Sequence, residues 1–204
     1  MKLVNPQVAQ DLTEGRPLRI DLGSGTKPRP GFYGLDQLDL PGVDIVADLN
    51  RPLGGLPDNC VEHLFSSHAL EHVERFLPLM DEIHRIMRPR GLLEIIVPHF
   101  SNPYYYSDPT HVRFFGLYTM SYFVDMDKQP GAHKVPAFPT PTRFELELVK
   151  LSFYRFNLLD RLVVPFLRYF VNRSPASQHF YELRLSRLFP AAELRFRMRA
   201  CKPS

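Results

Sequence analysis

The 204-residue sequence predicts an α/β fold: a mostly parallel sheet of about seven strands, with a shortened first crossover and an inserted segment. Three observations carry that prediction. The run Leu18-Arg19-Ile20-Asp21-Leu22 ends beside an acid and passes at once into a glycine pair, Gly23 and Gly25. A buried parallel strand does this where its backbone approaches a ligand, because glycine allows positive φ and close contact. A second run, 32–36, closes on Asp36 after a six-residue connection, 26–31, that contains Pro28 and Pro30. Further on, strand-like runs alternate with a helical one.

The remaining elements follow in order. Residues 1–16 read as a polar lead-in. Strands are expected at 17–22, 32–36, 43–47, 61–66 and 92–98, the last preceded by Arg90-Gly91, which reads as a helix exit. Phe76, Leu79, Met80, Ile83, Ile86 and Met87 recur at helical spacing and predict a helix over 75–88. Residues 99–141 are rich in proline and aromatics and too long for a simple loop, so they read as a lid within a single domain spanning 1–204. Residues 144–149 and 193–199 alternate as strands, with helices expected near 157–172 and 176–189 between them.

The first two strand ends point to a nucleoside-containing cofactor, since an acid closing the second strand can accept from both ribose hydroxyls. What is missing narrows it. A dinucleotide site wants a third glycine opening a helix, whose N-terminus holds the pyrophosphate. Here Thr26-Lys27-Pro28-Arg29-Pro30-Gly31 stands in that place. A helix-interior proline costs about 3 kcal/mol, and a parallel crossover normally needs about a dozen residues. The first helix is therefore expected to be lost or cut to one turn, and a cofactor without phosphates fits better.

Over roughly residues 16–123 the chain resembles the class I S-adenosylmethionine (SAM)-dependent methyltransferases. The likeness rests on Asp21-Leu22-Gly23-Ser24-Gly25, Asp36, 43–49 ending in Asp48-Leu49, 65–73 with Leu70-Glu71-His72, and 86–93. The short crossover and the run His99-Phe100-Ser101-Asn102-Pro103 to Asp108-Pro109-Thr110-His111 resemble small bacterial methyltransferases of polysaccharide and glycan biosynthesis. The resemblance implies a Rossmann-like sheet whose last two strands form an antiparallel pair. It implies SAM held by Asp21, Gly23, Ser24 and Gly25, by Asp36 at the ribose, by Asp48 and Leu49 at the adenine, and by Ser67 near the methionine portion. For Asp48, a helix or turn cap is the competing reading.

Methyl transfer to a hydroxyl needs a base near neutrality or a metal. His68 and His99 follow the fourth and fifth strands, and Asp108 and His111 lie on the insertion. These four are the catalytic candidates, with His99 and His111 favoured as base and a structural histidine the alternative for each. His68-Ala69-Leu70-Glu71-His72 matches H-x-x-E-H, but at a strand exit rather than on a zinc-hydrolase helix. The resemblance to ubiquinone-type O-methyltransferases implies Mg²⁺ on Glu71 and His72, with His68 or Asp108 as a further ligand. The insertion's tyrosines and phenylalanines suit either a sugar-stacking pocket or an apolar lid.

Composition is that of an ordinary globular domain, 44% hydrophobic and 23% charged. Two distant cysteines suggest no disulfide framework, and no signal peptide is recognisable, so the expected compartment is the cytoplasm. Residues 150–204 hold eleven Lys or Arg against three acids, which invites an anionic partner, although two solvated helix faces are the simpler reading. The stretch 158–170 is apolar with arginines through it and allows a peripheral membrane or lipid-carrier contact, a homodimer helix or a core helix, the last two favoured. The expected acceptor is a sugar or lipid-linked glycan. A nucleic acid is disfavoured, because Ser66-Ser67-His68-Ala69 is unlike the Asn/Asp-Pro-Pro-Tyr/Phe type of amino-methylating enzymes. A non-catalytic SAM-binding module is the non-enzymatic alternative.

Overall fold

The computed structural model describes residues 1–131 and 133–202. Its strands are β1 (Lys2–Leu3), β2 (Leu18–Leu22), β3 (Tyr33–Asp36), β4 (Ile45–Val46), β5 (Val61–Ser67), β6 (Met87–Pro98), β7 (Phe144–Ser152) and β8 (Glu193–Ala200). The helices are α1 (Pro6–Thr13), α2 (Phe76–Ile86), α3 (Leu158–Asn172) and α4 (Pro175–Arg184). All eight strands form one sheet in the order β1-β4-β3-β2-β5-β6-β8-β7. The central run from β4 to β6 is parallel. β8 lies antiparallel between β6 and β7. This is the mixed α/β, Rossmann-like architecture of class I methyltransferases, with one strand more than expected.

The extra strand corrects the reading of residues 1–16. Lys2 and Leu3 pair antiparallel with Val46 and Ile45. Asn5 then caps α1, accepting from the Gln7 amide, with Pro6 in the first turn where its missing N–H is harmless. Polarity hid the helix because it buries only Val8.

The first crossover holds no helix. After Gly23 the backbone turns back through residues 24–32, pinned by the Arg29 amide donating to Asp21 Oδ2 at 2.8 Å. The Arg29 guanidinium lies over the rings of Phe32 and Phe65, 5.0 and 4.6 Å from their centroids, and reaches Glu94 at 3.0 Å. A short loop thus dresses that face of the sheet, and the charges it carries are shared by Glu94 with His63 and Arg197.

β6 starts at Met87, directly after α2, instead of at 92. Arg90 takes a φ of 63°, and the register against β5 shifts between Val61 and His63, which absorbs the irregular start. The core lies on the other face, where Ile20, Leu64, Leu93 and Phe196 meet the apolar stripe Phe76, Leu79, Met80, Ile83 and Ile86 of α2. α3 corrects the core reading of 158–170. Val164 and Val171 face inward, while Leu158, Leu159, Leu162, Phe166, Tyr169 and Phe170 are exposed.

The insertion is a packed cap. Among the described residues it has three short 3₁₀ turns, 103–107, 119–123 and 126–128. Phe115 and Phe123 meet Phe76 of α2 edge-on, at 5.6 and 6.0 Å. The buried Gln129 side chain ties its far end together through the Ser121, Val124 and Val135 carbonyls.

Candidate active site

The topology itself locates the site. From β2 the chain moves to β3 on one side, and β5 takes the place on the other side. The crevice beyond the carboxyl end of β2 is the switch point where ligands bind in open α/β sheets. A cleft of about 190 Å³ opens there, lined by Gly23, Asp36, Gln37, Asp48, Leu49, Asn50, His68, Ala69, His72 and Val73. That is small against the roughly 300–1,000 Å³ of a whole small-molecule pocket, so the enclosed part suits a portion of a nucleoside cofactor.

Six residues named from sequence line this cleft: Gly23, Asp36, Asp48, Leu49, His68 and His72. Gly23 has φ 70°, and a Cβ there would lie 2.3 Å from the Cβ of Ala69. Gly25 has φ 55° with open space where its Cβ would stand. Asp36 organises the loop, its Oδ2 accepting from Gly25 N at 3.0 Å and its Oδ1 from Leu38 N at 3.1 Å. Asp48 accepts from Asn50 N at 2.9 Å, closing an Asx turn, so the capping role and the place in the wall coexist. Asp21, Ser24, Gly25 and Ser67 stand behind or beside the wall. Asp21 is buried and takes the Arg29 amide; burial raises its carboxyl pKa, and that hydrogen bond opposes the rise. That bond ties the loop after Gly23 to the end of β2. Sequence reading missed Gln37, Asn50, Ala69 and Val73. Their only signal was adjacency to Asp36, Asp48 and the Leu70-Glu71-His72 turn.

The four histidine and acid candidates separate sharply. His68 adopts φ 54°, a strained conformation for a residue with a Cβ. Its ring lies between two carboxylates, 3.0 Å from Glu193 and 3.4 Å from Glu71. The hydrogen bond to Glu193, then that to Glu71, pushes its pKa up to about 9. His68 is therefore an imidazolium at neutral pH, a donor rather than a base. His99 is fully buried, with Nδ1 2.7 Å from Ser101 Oγ and Nε2 3.3 Å from Glu182. It is sealed into the packing that joins β6 to the cap and α4, away from the cleft wall. Asp108 is exposed and accepts from both Thr110 N and Thr110 Oγ1, which lowers its pKa. It serves as an orienting anion.

His111 is brought to the cleft by backbone stitching. Val112 N donates to Glu71 O at 2.9 Å, and Arg113 bonds Glu74 O while lying over Phe76. The His111 ring stands 4.7 Å from that of His72. Its Nδ1 is 2.9 Å from the Tyr105 carbonyl, which only accepts, so Nδ1 carries hydrogen and Nε2 holds the lone pair when the ring is neutral. His72 Nδ1 lies 2.8 Å from Thr110 Oγ1, whose own hydrogen points to Asp108 at 2.6 Å. The same argument gives His72 a free Nε2.

Glu71 is 1% exposed, and its Oε2 has no hydrogen-bond partner. Ligand atoms of Glu71, His72 and His111 lie within 4.8 Å of one another. An orphaned buried carboxylate oxygen beside two imidazoles fixed through their other nitrogens fits a divalent ion. The donor set differs from the expected one: His111 joins Glu71 and His72, and two imidazoles suit Zn²⁺ or another borderline ion better than Mg²⁺, which prefers oxygen ligands.

Residues 30–95 match the family described as a methyltransferase domain, about a third of the chain. The match starts after the glycine pair and contains Asp36, Asp48, Leu49, Ser67, His68, Glu71 and His72. No curated protein matches the sequence. The fold is similar to that of a SAM-dependent methyltransferase from Archaeoglobus fulgidus, at TM-score 0.51 and 16% identity over 95% of this chain and 91% of that one. It is also similar to the YcgJ protein from Bacillus subtilis, at TM-score 0.54 and 12% identity over 98% and 99% of the two chains. Residues 30–95 thus match a methyltransferase domain, and the fold of the whole chain is similar to that of a solved SAM-dependent methyltransferase.

Proposed function

We propose that this chain is a cytoplasmic O-methyltransferase that moves the SAM methyl group to a hydroxyl of a sugar or glycoconjugate. The observation that carries the reading is the trio Glu71, His72 and His111 at the edge of the cleft, with an unpartnered carboxylate oxygen and two imidazoles fixed through Nδ1, the Nε2 of His111 lying 3.7 Å from Asp108. Bound SAM supplies an already activated methyl group. The protein's part is to align an acceptor and relieve its hydroxyl of a proton. With His68 protonated and His99 sealed, that duty falls to His111 or His72. A divalent ion held by the trio would acidify the hydroxyl instead. The exposed Tyr106 and Phe114 pack on Tyr105, which lies against His111, and offer aromatic faces for a sugar ring.

The test is methyl-labelled SAM with a panel of nucleotide sugars and oligosaccharides, followed by alkaline treatment of the product. An ether-linked methyl survives alkali and a methyl ester does not. Label on a sugar hydroxyl, lost in His111→Gln with S-adenosylhomocysteine affinity unchanged, supports the reading. Label only on carboxyl or amino groups would refute it. Zn²⁺ titrated into metal-free protein should bind once in the wild type and at least tenfold more weakly in His111→Ala.

A further inference from the structure

α3 is apolar on two opposite sides. Its capping box fixes the start, with Asn157 accepting from Asp160 N and Asp160 from Asn157 N. Val164 and Val171 pack inward, and α3 lies against β7 and α4. The outward side carries Leu158, Leu159, Leu162, Phe166, Tyr169 and Phe170 at three- and four-residue spacing, with Phe166 68% and Tyr169 70% exposed. A soluble helix normally turns charged residues that way. α4 and the turn after it extend the patch with Phe180, Leu183, Leu188 and Phe189, all at least half exposed.

The charge around this patch is of one sign. Residues 155–189 contain six arginines (155, 161, 168, 173, 184 and 187) and two acids. Both acids are occupied by backbone amides: Asp160 by Phe156 and Asn157, Glu182 by Leu117. All six arginines are exposed, and among the described residues none pairs with a carboxylate. Exposed leucine and aromatic side chains bordered by unpaired arginines match an anionic bilayer surface, where apolar groups enter the acyl boundary and guanidinium groups meet phosphates. A second copy of this chain would bring the same unpaired positive charge against itself.

The patch is also continuous with the cap. Phe156, before α3, stacks on Tyr154 at 4.9 Å, and Tyr154 meets Tyr104 at 5.4 Å. Tyr105, next in the chain, packs on His111 at 4.6 Å. An aromatic path therefore leads from the outward side of α3 to the edge of the cleft.

We infer that the outward side of α3, with α4, docks peripherally on an anionic phospholipid surface. The docking is independent of the proposed reaction. Where that reaction holds, it presents the cleft to acceptors carried in the membrane.

The test is flotation of the full chain, without SAM or acceptor, with phosphatidylcholine vesicles and with vesicles containing about a third phosphatidylglycerol. Because the interaction is partly electrostatic, it should weaken as salt screens it. The wild type should float with the anionic vesicles at low salt, at least tenfold better than with phosphatidylcholine alone. Leu162→Glu/Phe166→Glu should lose flotation while keeping the wild-type Tm, since both residues are exposed. Arg161→Gln/Arg168→Gln should lose the anionic preference by several-fold. No flotation of folded wild type would overturn the inference. So would a dimer in sedimentation that Phe166→Glu converts to monomer without changing flotation, which would assign the patch to self-association. Failure of the sugar-methylation assay leaves the flotation result standing, so the two readings fail separately.

Discussion

Replacing each glycine of the pair by alanine separates architecture from ligand approach. At Gly23 the new Cβ would lie 2.3 Å from the Cβ of Ala69, in a backbone held at φ 70°. The left-handed conformation costs roughly 1–2 kcal/mol for a residue with a Cβ, and overpacking adds roughly 1–3 kcal/mol. Gly23→Ala is expected to lose about 2–5 kcal/mol, a Tm fall on the order of 5–15 °C for a chain of this size. At Gly25 the Cβ meets nothing within 4 Å, and φ is 55°. Gly25→Ala bears only the backbone term, about 1–2 kcal/mol. On the proposed reading, SAM would pass through the open space its Cβ would fill. Urea unfolding and calorimetric titration with S-adenosylhomocysteine read the two effects. The expected pattern is a large stability loss at Gly23, and at Gly25 a small one with at least tenfold weaker binding. Undiminished affinity in folded Gly25→Ala would refute the reasoning that this glycine faces the cofactor. A Gly23→Ala protein as stable as wild type would refute the clash.

Asp36→Asn should weaken S-adenosylhomocysteine binding by about 10–100-fold, the equivalent of a charge-assisted hydrogen bond, with NAD binding absent in both proteins. His68 gives a pH signature. Its folded pKa, pushed to about 9 by Glu193 and Glu71, lies above the ordinary 6.5. Its stabilisation is therefore complete below pH 6.5 and is lost as pH rises through about 9; His68→Gln should flatten that decline in urea midpoints measured from pH 6 to 10. Glu94 behaves in the opposite sense. Burial pushes its pKa up, but hydrogen bonds from Arg197, Arg29 and His63 outweigh that and bring it down to about 2. Its stabilisation, about 3 kcal/mol, is present above pH 4.5 and is lost on acidification toward pH 2. Glu94→Gln should lower Tm at pH 7 and remove the acid-side slope in thermal melts.

The parallel strands were legible as apolar runs, those of β2, β3 and β4 closed by an acid or a glycine, and α2 because its stripe repeats at helical spacing. α1 was not, since one buried valine leaves no periodicity to read. The start of β6 was missed because Arg90-Gly91 looks like a helix exit, and the left-handed Arg90 is indeed there, but inside the strand. Part of the cleft wall was legible in local motifs: Gly23, Asp36, Asp48 and Leu49 line it. The chemical side does not. His68, His99 and His111 look alike in one dimension. What distinguishes them are partners 125, 83 and 38 positions away: Glu193 for His68, Glu182 for His99, and the Thr110–His72 contact beside His111. Such contacts arise from how the cap and β8 return to the sheet, which periodicity does not encode.

The order of the last strands governs when this sheet can exist during synthesis. β7 has one neighbour, β8, and β8 is also the outer neighbour of β6. β7 and the core edge of β6 therefore emerge from the ribosome unpaired and remain so until residue 200 has been made. Glu94, for example, waits for Arg197. Pairings of such long sequence separation are slow, and unpaired strand edges invite association with other chains. A nascent chain stalled before Glu193 would carry two open edges and a basic, apolar α3. It is the species on which chaperone binding and aggregation of this protein should concentrate.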